Sequence, residues 1–315
     1  MINYKLAATS MAISISLLSA CGGGGSGGAV IAPSAPNPFT SFTTSKPVTI
    51  VINGPSQEAT YTYDTGTGKI TSLSAASAFD SGGSITVAIV GAATTLTAKS
   101  ALGTTISLNT ANGDSIGVLL PSDTVKNASF NGQNIILLFN RITGLPAWDY
   151  QAFGVWETRE DTTASGAVGA MSFGAETPGA SVPTIGTAVF SGATAGIYFD
   201  SAGNSFFTGS GMSATTNFAT RSIAFATTGT FTSTDFFITR SANPNLDMSG
   251  TLTYAPGSNL FTGAVTTVGG GLSNAPMSGS ATGKFYGPAA QEMGGTFAVS
   301  GGGTAGYIGG FGARR

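Results

Sequence analysis

From about Lys46 onward, apolar residues recur at every second position in short runs, and no segment sustains the spacing of a helix face. Val48, Ile50 and Ile52 alternate with smaller or polar residues, as do Tyr61 and Tyr63, Ile85, Val87 and Ile89, Ile106 and Leu108, and Ile116, Val118 and Leu120. Glycine-bearing turn sequences separate these runs: Asp64-Thr65-Gly66-Thr67-Gly68, Asp80-Ser81-Gly82-Gly83, Asn112-Gly113-Asp114 and Asn131-Gly132. Ile135 to Phe139 is a continuous apolar run of strand length. A chain with 47 glycines among 315 residues invites a reading of disorder, but here the glycines are interleaved with Phe, Tyr, Ile and Val, which disordered chains lack. The pattern predicts an all-β protein.

Residues 46–145 read as a small β-rich domain, and Leu145-Pro146 as the break after it. Over 146–315 the texture changes to short strands mixing aromatics with glycine, among them Tyr150 to Trp156, Gly169 to Gly174, Gly196 to Asp200, Lys284 to Tyr286 and Thr296 to Val299. Roughly eight such strands joined by polar turns predict a closed antiparallel barrel, because closure removes exposed strand edges. Its inward face is expected to be filled by side chains. A membrane-spanning barrel would want strands of about ten residues and aromatic girdles facing lipid.

Residues 1–20 read as an export leader. Lys5 supplies the positive start, and Leu6 to Leu18 an apolar stretch too short to span a bilayer permanently. Leu18-Ser19-Ala20-Cys21 resembles the lipobox of bacterial lipoproteins, which implies cleavage before Cys21, lipidation of that cysteine and addition of a palmitate-type acyl chain to its new amine. The tether over 21–45 fits a lipid anchor: Gly22 to Gly28 is flexible, and Pro33, Pro36 and Pro38 extend and stiffen its end. Several acyl chains, at roughly 0.8 kcal/mol per buried methylene, hold a protein durably. Gly22 is not the Asp of the inner-membrane retention signal, so the resemblance implies the outer membrane, lipid-anchored at the cell surface, with the periplasmic face as the alternative.

Two stretches of the second part carry a family resemblance. Gly186-Thr187-Ala188-Val189-Phe190-Ser191-Gly192 resembles a G-x-A-x-Y-x-G strand, and Gly283-Lys284-Phe285-Tyr286-Gly287-Pro288-Ala289-Ala290-Gln291-Glu292-Met293-Gly294-Gly295-Thr296-Phe297 resembles the signature F-Y-G-P-x-A-x-E-x-G-G-x-F of the transferrin-binding-protein-like surface lipoproteins. Tyr307 to Arg315 fits their closing strand. The resemblance implies a handle domain before the barrel, matched here only by position. It also implies capture of a host protein, haem or small solute for nutrient or iron acquisition, with an outer-membrane export helper and a TonB-dependent transporter as partners. Physically, the signature reads as structural, with Gly287-Pro288 turning the chain, Glu292 in a short polar connection, and Gly294-Gly295 allowing close backbone approach.

Catalysis finds little support. With no histidine and one cysteine there is no Cys–His pair, no His-bearing serine triad and no usual zinc site. Asp64-Thr65-Gly66 and Asp80-Ser81-Gly82 imitate the aspartic-protease triplet, but lie 16 residues apart and read as two hairpin turns. Gly24 to Gly28 imitates a nucleophile elbow within the tether, and Gly301 to Gly306 a dinucleotide loop that leads into a strand. Glu157, Arg159, Glu160 and Asp161 read as a solvated loop between two barrel strands. Charged residues are 8% of the chain and the net charge is −2, without a basic patch, which argues against nucleic acid. The expectation is a non-enzymatic binding protein with no cofactor, the alternative being a structural or adhesive surface lipoprotein. Trp148, near the domain break, is the candidate ligand-binding residue.

Overall fold

The structure, a computed structural model, describes residues 48–120, 123–130, 134–140, 148–235, 237–270 and 275–315. The leader, Cys21, the tether and Leu145-Pro146 lie outside the described residues. The chain is all-β, as the alternation predicts.

The first sheet is built from β1 (Val48–Tyr63), β2 (Ile70–Leu73), β3 (Asp80–Val90), β4 (Ala93–Lys99), β5 (Thr105–Asn109), β6 (Ser115–Leu120), β7 (Asp123–Phe130), β8 (Asn134–Phe139), β9 (Gln151–Glu160) and β10 (Ser165–Gly174). Its antiparallel path runs β5-β4-β3-β1-β10-β9-β8-β7-β6, with β2 also paired to β1, and the sheet curls to a nearly closed barrel. Ile85, Val87, Leu96, Ile106, Leu108, Ile136, Leu138 and Trp156 fill its interior.

The second sheet comprises β11 (Thr187–Phe199), β12 (Ser205–Asn217), β13 (Ser222–Ser233), β14 (Ser241–Ala242), β15 (Met248–Tyr254), β16 (Leu260–Thr267), β17 (Ser278–Tyr286), β18 (Glu292–Ser300) and β19 (Gly306–Arg314). The order β12-β11-β19-β18-β17-β16-β15-β13 closes on itself through β12–β13, with the short β14 beside β13. This is the expected eight-stranded barrel, and its interior is packed solid. At the centre Phe285, 0% exposed, has Phe261 and Tyr254 at 5.1 and 5.3 Å between ring centroids, and Phe190 and Phe218 at 6.1 Å. Such offset and edge-on pairs add to simple area burial.

The sheets divide the chain elsewhere than at Leu145-Pro146. Strands β9 and β10, read from sequence as barrel strands, hydrogen-bond into the first sheet: Ser56 of β1 faces Met171 and Thr62 faces Ser165. The change of sheet falls in the turn-rich stretch between β10 and β11, which carries Pro178 and Pro183. Both faces of β9 are buried. Ala152 and Trp156 point into the first-sheet core, while Phe153 and Val155 point to a cluster shared with Ala195, Ile197, Phe199 and Ile308 on the barrel's outer wall. A strand covered on both sides loses the polar half of its alternation. The run Gln151-Ala152-Phe153-Gly154-Val155-Trp156 shows that loss.

Candidate functional site

The seam between the two sheets is where the signature residues gather. On the barrel's outer wall, β18 and β19 present Gly294, Gly310 and Gly312. A Cβ at Gly310 would lie 2.6 Å from Phe153, and one at Gly312 would lie 2.3 Å from the Gln151 side chain and 2.8 Å from the Trp148 ring. A Cβ at Gly294 would lie 2.6 Å from Gln151. These glycines are the flat bed on which the first sheet rests. Glu292, 2% exposed, is the clamp: its carboxylate accepts the Asp149 N–H at 2.7 Å and the Tyr150 N–H at 3.0 Å. Burial pushes its pKa up to about 7, against those two donors and the Arg314 charge. Further ties are Ser172 to Tyr286 at 2.7 Å between hydroxyls, the Thr296 hydroxyl donating to the Gln57 side-chain carbonyl at 3.1 Å, and the Thr177 hydroxyl donating to the Gly287 carbonyl at 2.6 Å. The signature is structural, as its residues suggest, but it joins barrel to first sheet instead of sitting in a polar connection.

Trp148, expected at a binding surface, is 1% exposed and packs 5.8 Å from Phe153 between ring centroids. Its place in this structure is the seam.

Beside the seam lies a cleft of about 190 Å³, walled by Leu73, Ala76, Phe199, Ile308 and serines of β17 and β18. That is below the roughly 300 Å³ at which pockets begin to hold drug-sized ligands. Among the described residues no cluster of carboxylates could hold a metal ion.

One end of the molecule collects the turns that join β1 to β2, β9 to β10 and β11 to β12, together with the two longest barrel loops. The Ile70 N–H donates to Gly203 at 2.8 Å and the Thr304 hydroxyl to Asp200 at 2.8 Å, so these turns are mutually braced. The charge cluster sits here, and differently from expectation. Glu157 is on β9 and 5% exposed; it accepts the Tyr61 hydroxyl at 2.8 Å and has the Arg159 Nε 3.8 Å away. Burial raises the Glu157 carboxyl above the usual carboxylate range, with Tyr61 and Arg159 opposing. Arg159 lies over the Tyr63 ring at 4.9 Å, and the Tyr63 hydroxyl donates to Asp161 at 2.5 Å. Only Glu160 and Asp161 form the solvated turn. A residue three before the end of a strand is indistinguishable by sequence from a loop residue; the signal was Tyr61 and Tyr63, which share its face.

The loop after β13 is bolted down by Phe237. This residue adopts φ 71°, is 6% exposed, and lies between Phe139 of the first sheet and Phe207 and Phe231 of the barrel at 6.3, 5.9 and 6.0 Å. A bulky side chain in the left-handed region is strained, and strain of this kind concentrates at ligand-contacting segments. Arg240 stacks on Phe231 at 4.6 Å, and hydrogen bonds from Thr239 and Ser233 hold the Asp235 carboxyl down at about 2. Next to Phe237, Ile238 is 72% exposed, and Val268, which donates its N–H to Asp247 from the following loop, is 71% exposed. Of the expected turns, Asp64 caps the Thr67 N–H at 2.7 Å, whereas Asp80 to Gly83 is the start of β3, where the Asp80 carboxylate accepts the Gly82 N–H at 2.9 Å beside a register shift against β1; Asn131-Gly132 lies outside the described residues.

Residues 182–315 match the family described as the C-lobe and N-lobe beta barrels of Tf-binding protein B. Among solved structures, the chain is similar to a variant of the vaccine antigen transferrin-binding protein B from Haemophilus parasuis. The identity is 18% and the TM-score 0.45, covering 82% of this chain and 44% of that one. It is also similar to isotype 1 transferrin-binding protein B of serogroup B Neisseria meningitidis, at 12% identity and TM-score 0.38, covering 85% of this chain and 77% of that one. The chain spans less than half the length of the first of these. No curated protein matches it. The matched stretch takes in every strand of the closed barrel, the bed glycines and Glu292. Residues 182–315 of this chain thus carry a barrel similar to those described for Tf-binding protein B.

Proposed function

We propose that this is a lipid-anchored outer-membrane protein, displayed at the cell surface, that captures a protein ligand through the braced loop end of its two sheets, in the service of nutrient or iron acquisition. The carrying observation is the family match over the barrel. The small cleft at the seam supports a macromolecular ligand over haem or a small solute. The exposed Ile238 and Val268 on pinned loops supply apolar anchors whose ordering cost is already met. An export helper and a TonB-dependent transporter are the proposed partners in display and uptake. In this reading residues 1–20 are the leader, 21–45 the tether, and the first sheet the handle.

The test is a pull-down with the detergent-solubilised full chain against host serum and spent medium. A saturable protein ligand, weakened about tenfold or more by Ile238→Asp or Val268→Asp, supports capture. A blank against both sources, with cell or matrix adhesion retained, moves the assignment to the structural or adhesive reading. The anchor has its own check. Cys21→Ser is expected to abolish palmitate labelling and release the chain from the membrane fraction; labelled, membrane-bound variant overturns the anchor. Protease shaving of intact cells separates the surface from the periplasmic face.

A further inference from the structure

At the opposite end of the barrel, a second pocket of about 120 Å³ opens between the Gly179–Thr184 stretch, the β12–β13 turn and the β15–β16 turn. Its walls are Val182, Pro183, Phe218 and Pro256, and the backbone of Gly257 packs directly on Gly179 to close one side. Two polar side chains join this apolar lining. Arg221 is held at φ 56° in the turn, half-buried, and makes no ion pair among the described residues. Tyr254 is 8% exposed, and its hydroxyl is buried without a hydrogen-bond partner among the described residues. Burial raises the Tyr254 phenol and the Arg221 charge opposes that rise, so the two groups feel one another.

A buried phenol without a partner is costly for a fold to keep, and a guanidinium free of ion pairs lines the same apolar pocket. Together they match a carboxylate, which takes charge-assisted hydrogen bonds from arginine and accepts one more from a hydroxyl. The size sets the rest: an apolar cavity of about 150 Å³ holds benzene, so this one takes a compact tail of a few carbons. We infer that the pocket lined by Arg221 and Tyr254 is a binding site for a small apolar monocarboxylate. This site is remote from the loop end and independent of the capture reading.

Isobutyrate is the probe, with isobutyramide as its uncharged counterpart, titrated against the full chain by thermal shift and ligand-observed NMR. Saturable isobutyrate binding is expected on the order of a millimolar, with isobutyramide at least about fivefold weaker. Arg221→Gln is expected to abolish the shift. Tyr254→Phe is the sharper variant: the free protein should melt at the same or a higher temperature, because the lost hydroxyl had no partner, while isobutyrate affinity falls several-fold. Circular dichroism confirms folding of both variants. Absence of saturable isobutyrate binding overturns the inference. So does isobutyramide binding as tightly as isobutyrate, or isobutyrate affinity unchanged in Arg221→Gln.

Discussion

Replacing Phe285 by alanine is expected to destabilise the chain by about 3–5 kcal/mol, the usual cost of emptying a phenylalanine-sized space in a packed core. Phe285 is 0% exposed and touches aromatic rings on four sides, so no single neighbour can swing in to fill the gap. Against a total stability of about 5–15 kcal/mol for a domain, that loss is large enough to be read from the midpoint of a urea melt. Phe285→Leu keeps most of the volume and should recover more than half of it. An alanine variant within about 1 kcal/mol of the parent would mean that the barrel interior repacks freely, contrary to the ring geometry described above.

The second large effect is a dependence of stability on pH set by Glu292. Its carboxyl titrates near 4.5 in an unfolded chain and near 7 in the fold. Between those values the folded state holds a proton that the unfolded state has released. The resulting stabilisation is complete below about pH 4.5 and is lost as the pH rises through 7. The full span is at most about 3 kcal/mol. Melting temperatures measured from pH 5 to 8 should therefore fall, and Glu292→Gln should flatten most of that slope. The remainder belongs to Glu157, which burial shifts in the same direction. A rising melting temperature over this interval would show that the Asp149 and Tyr150 N–H groups, with Arg314, outweigh burial at the clamp. Glu292→Ala strands those two part-buried donors and is expected to cost about 2 kcal/mol.

Strand positions were legible because side chains alternate with a period that the sequence displays directly. The runs at Ile85 to Ile89 and Ile106 to Leu108 are strands β3 and β5, and Asp64 heads a turn, whereas Asp80 to Gly83, read as a turn, is the start of β3 because its backbone pairs with β1. Partner choice was not legible. That β1 pairs with β10 depends on contacts about a hundred residues apart, and nothing local in either strand states it. Leu145-Pro146 looked like a boundary because proline interrupts local structure, but a sheet can continue past a break in the chain. The signature glycines were read as permitting close approach; which surface approaches them, the Gln151, Phe153 and Trp148 side chains, emerges only from the fold. Trp148 shows the same limit. An aromatic beside a domain break suits a surface anchor and a buried wedge equally, and 1% exposure places it in the second role here. The loop end was missed because its makings, Phe237 and Ile238, are ordinary in sequence and notable only for the φ of one and the exposure of the other.

Barrel closure has a consequence for the order in which the molecule can come into being. Strand β19 lies between β11 and β18, so the first long barrel strand has one neighbour it meets only after the whole barrel sequence has followed it. Bringing the ends of so long a loop together must be met in entropy before any contact rewards it. The first sheet repeats the arrangement on a smaller scale, with β1 waiting for β10. A chain emerging end-first from a ribosome or a translocation channel therefore stays unlocked until residues 306–314 are free to add the final stave. Late locking keeps the polypeptide threadable for as long as threading lasts.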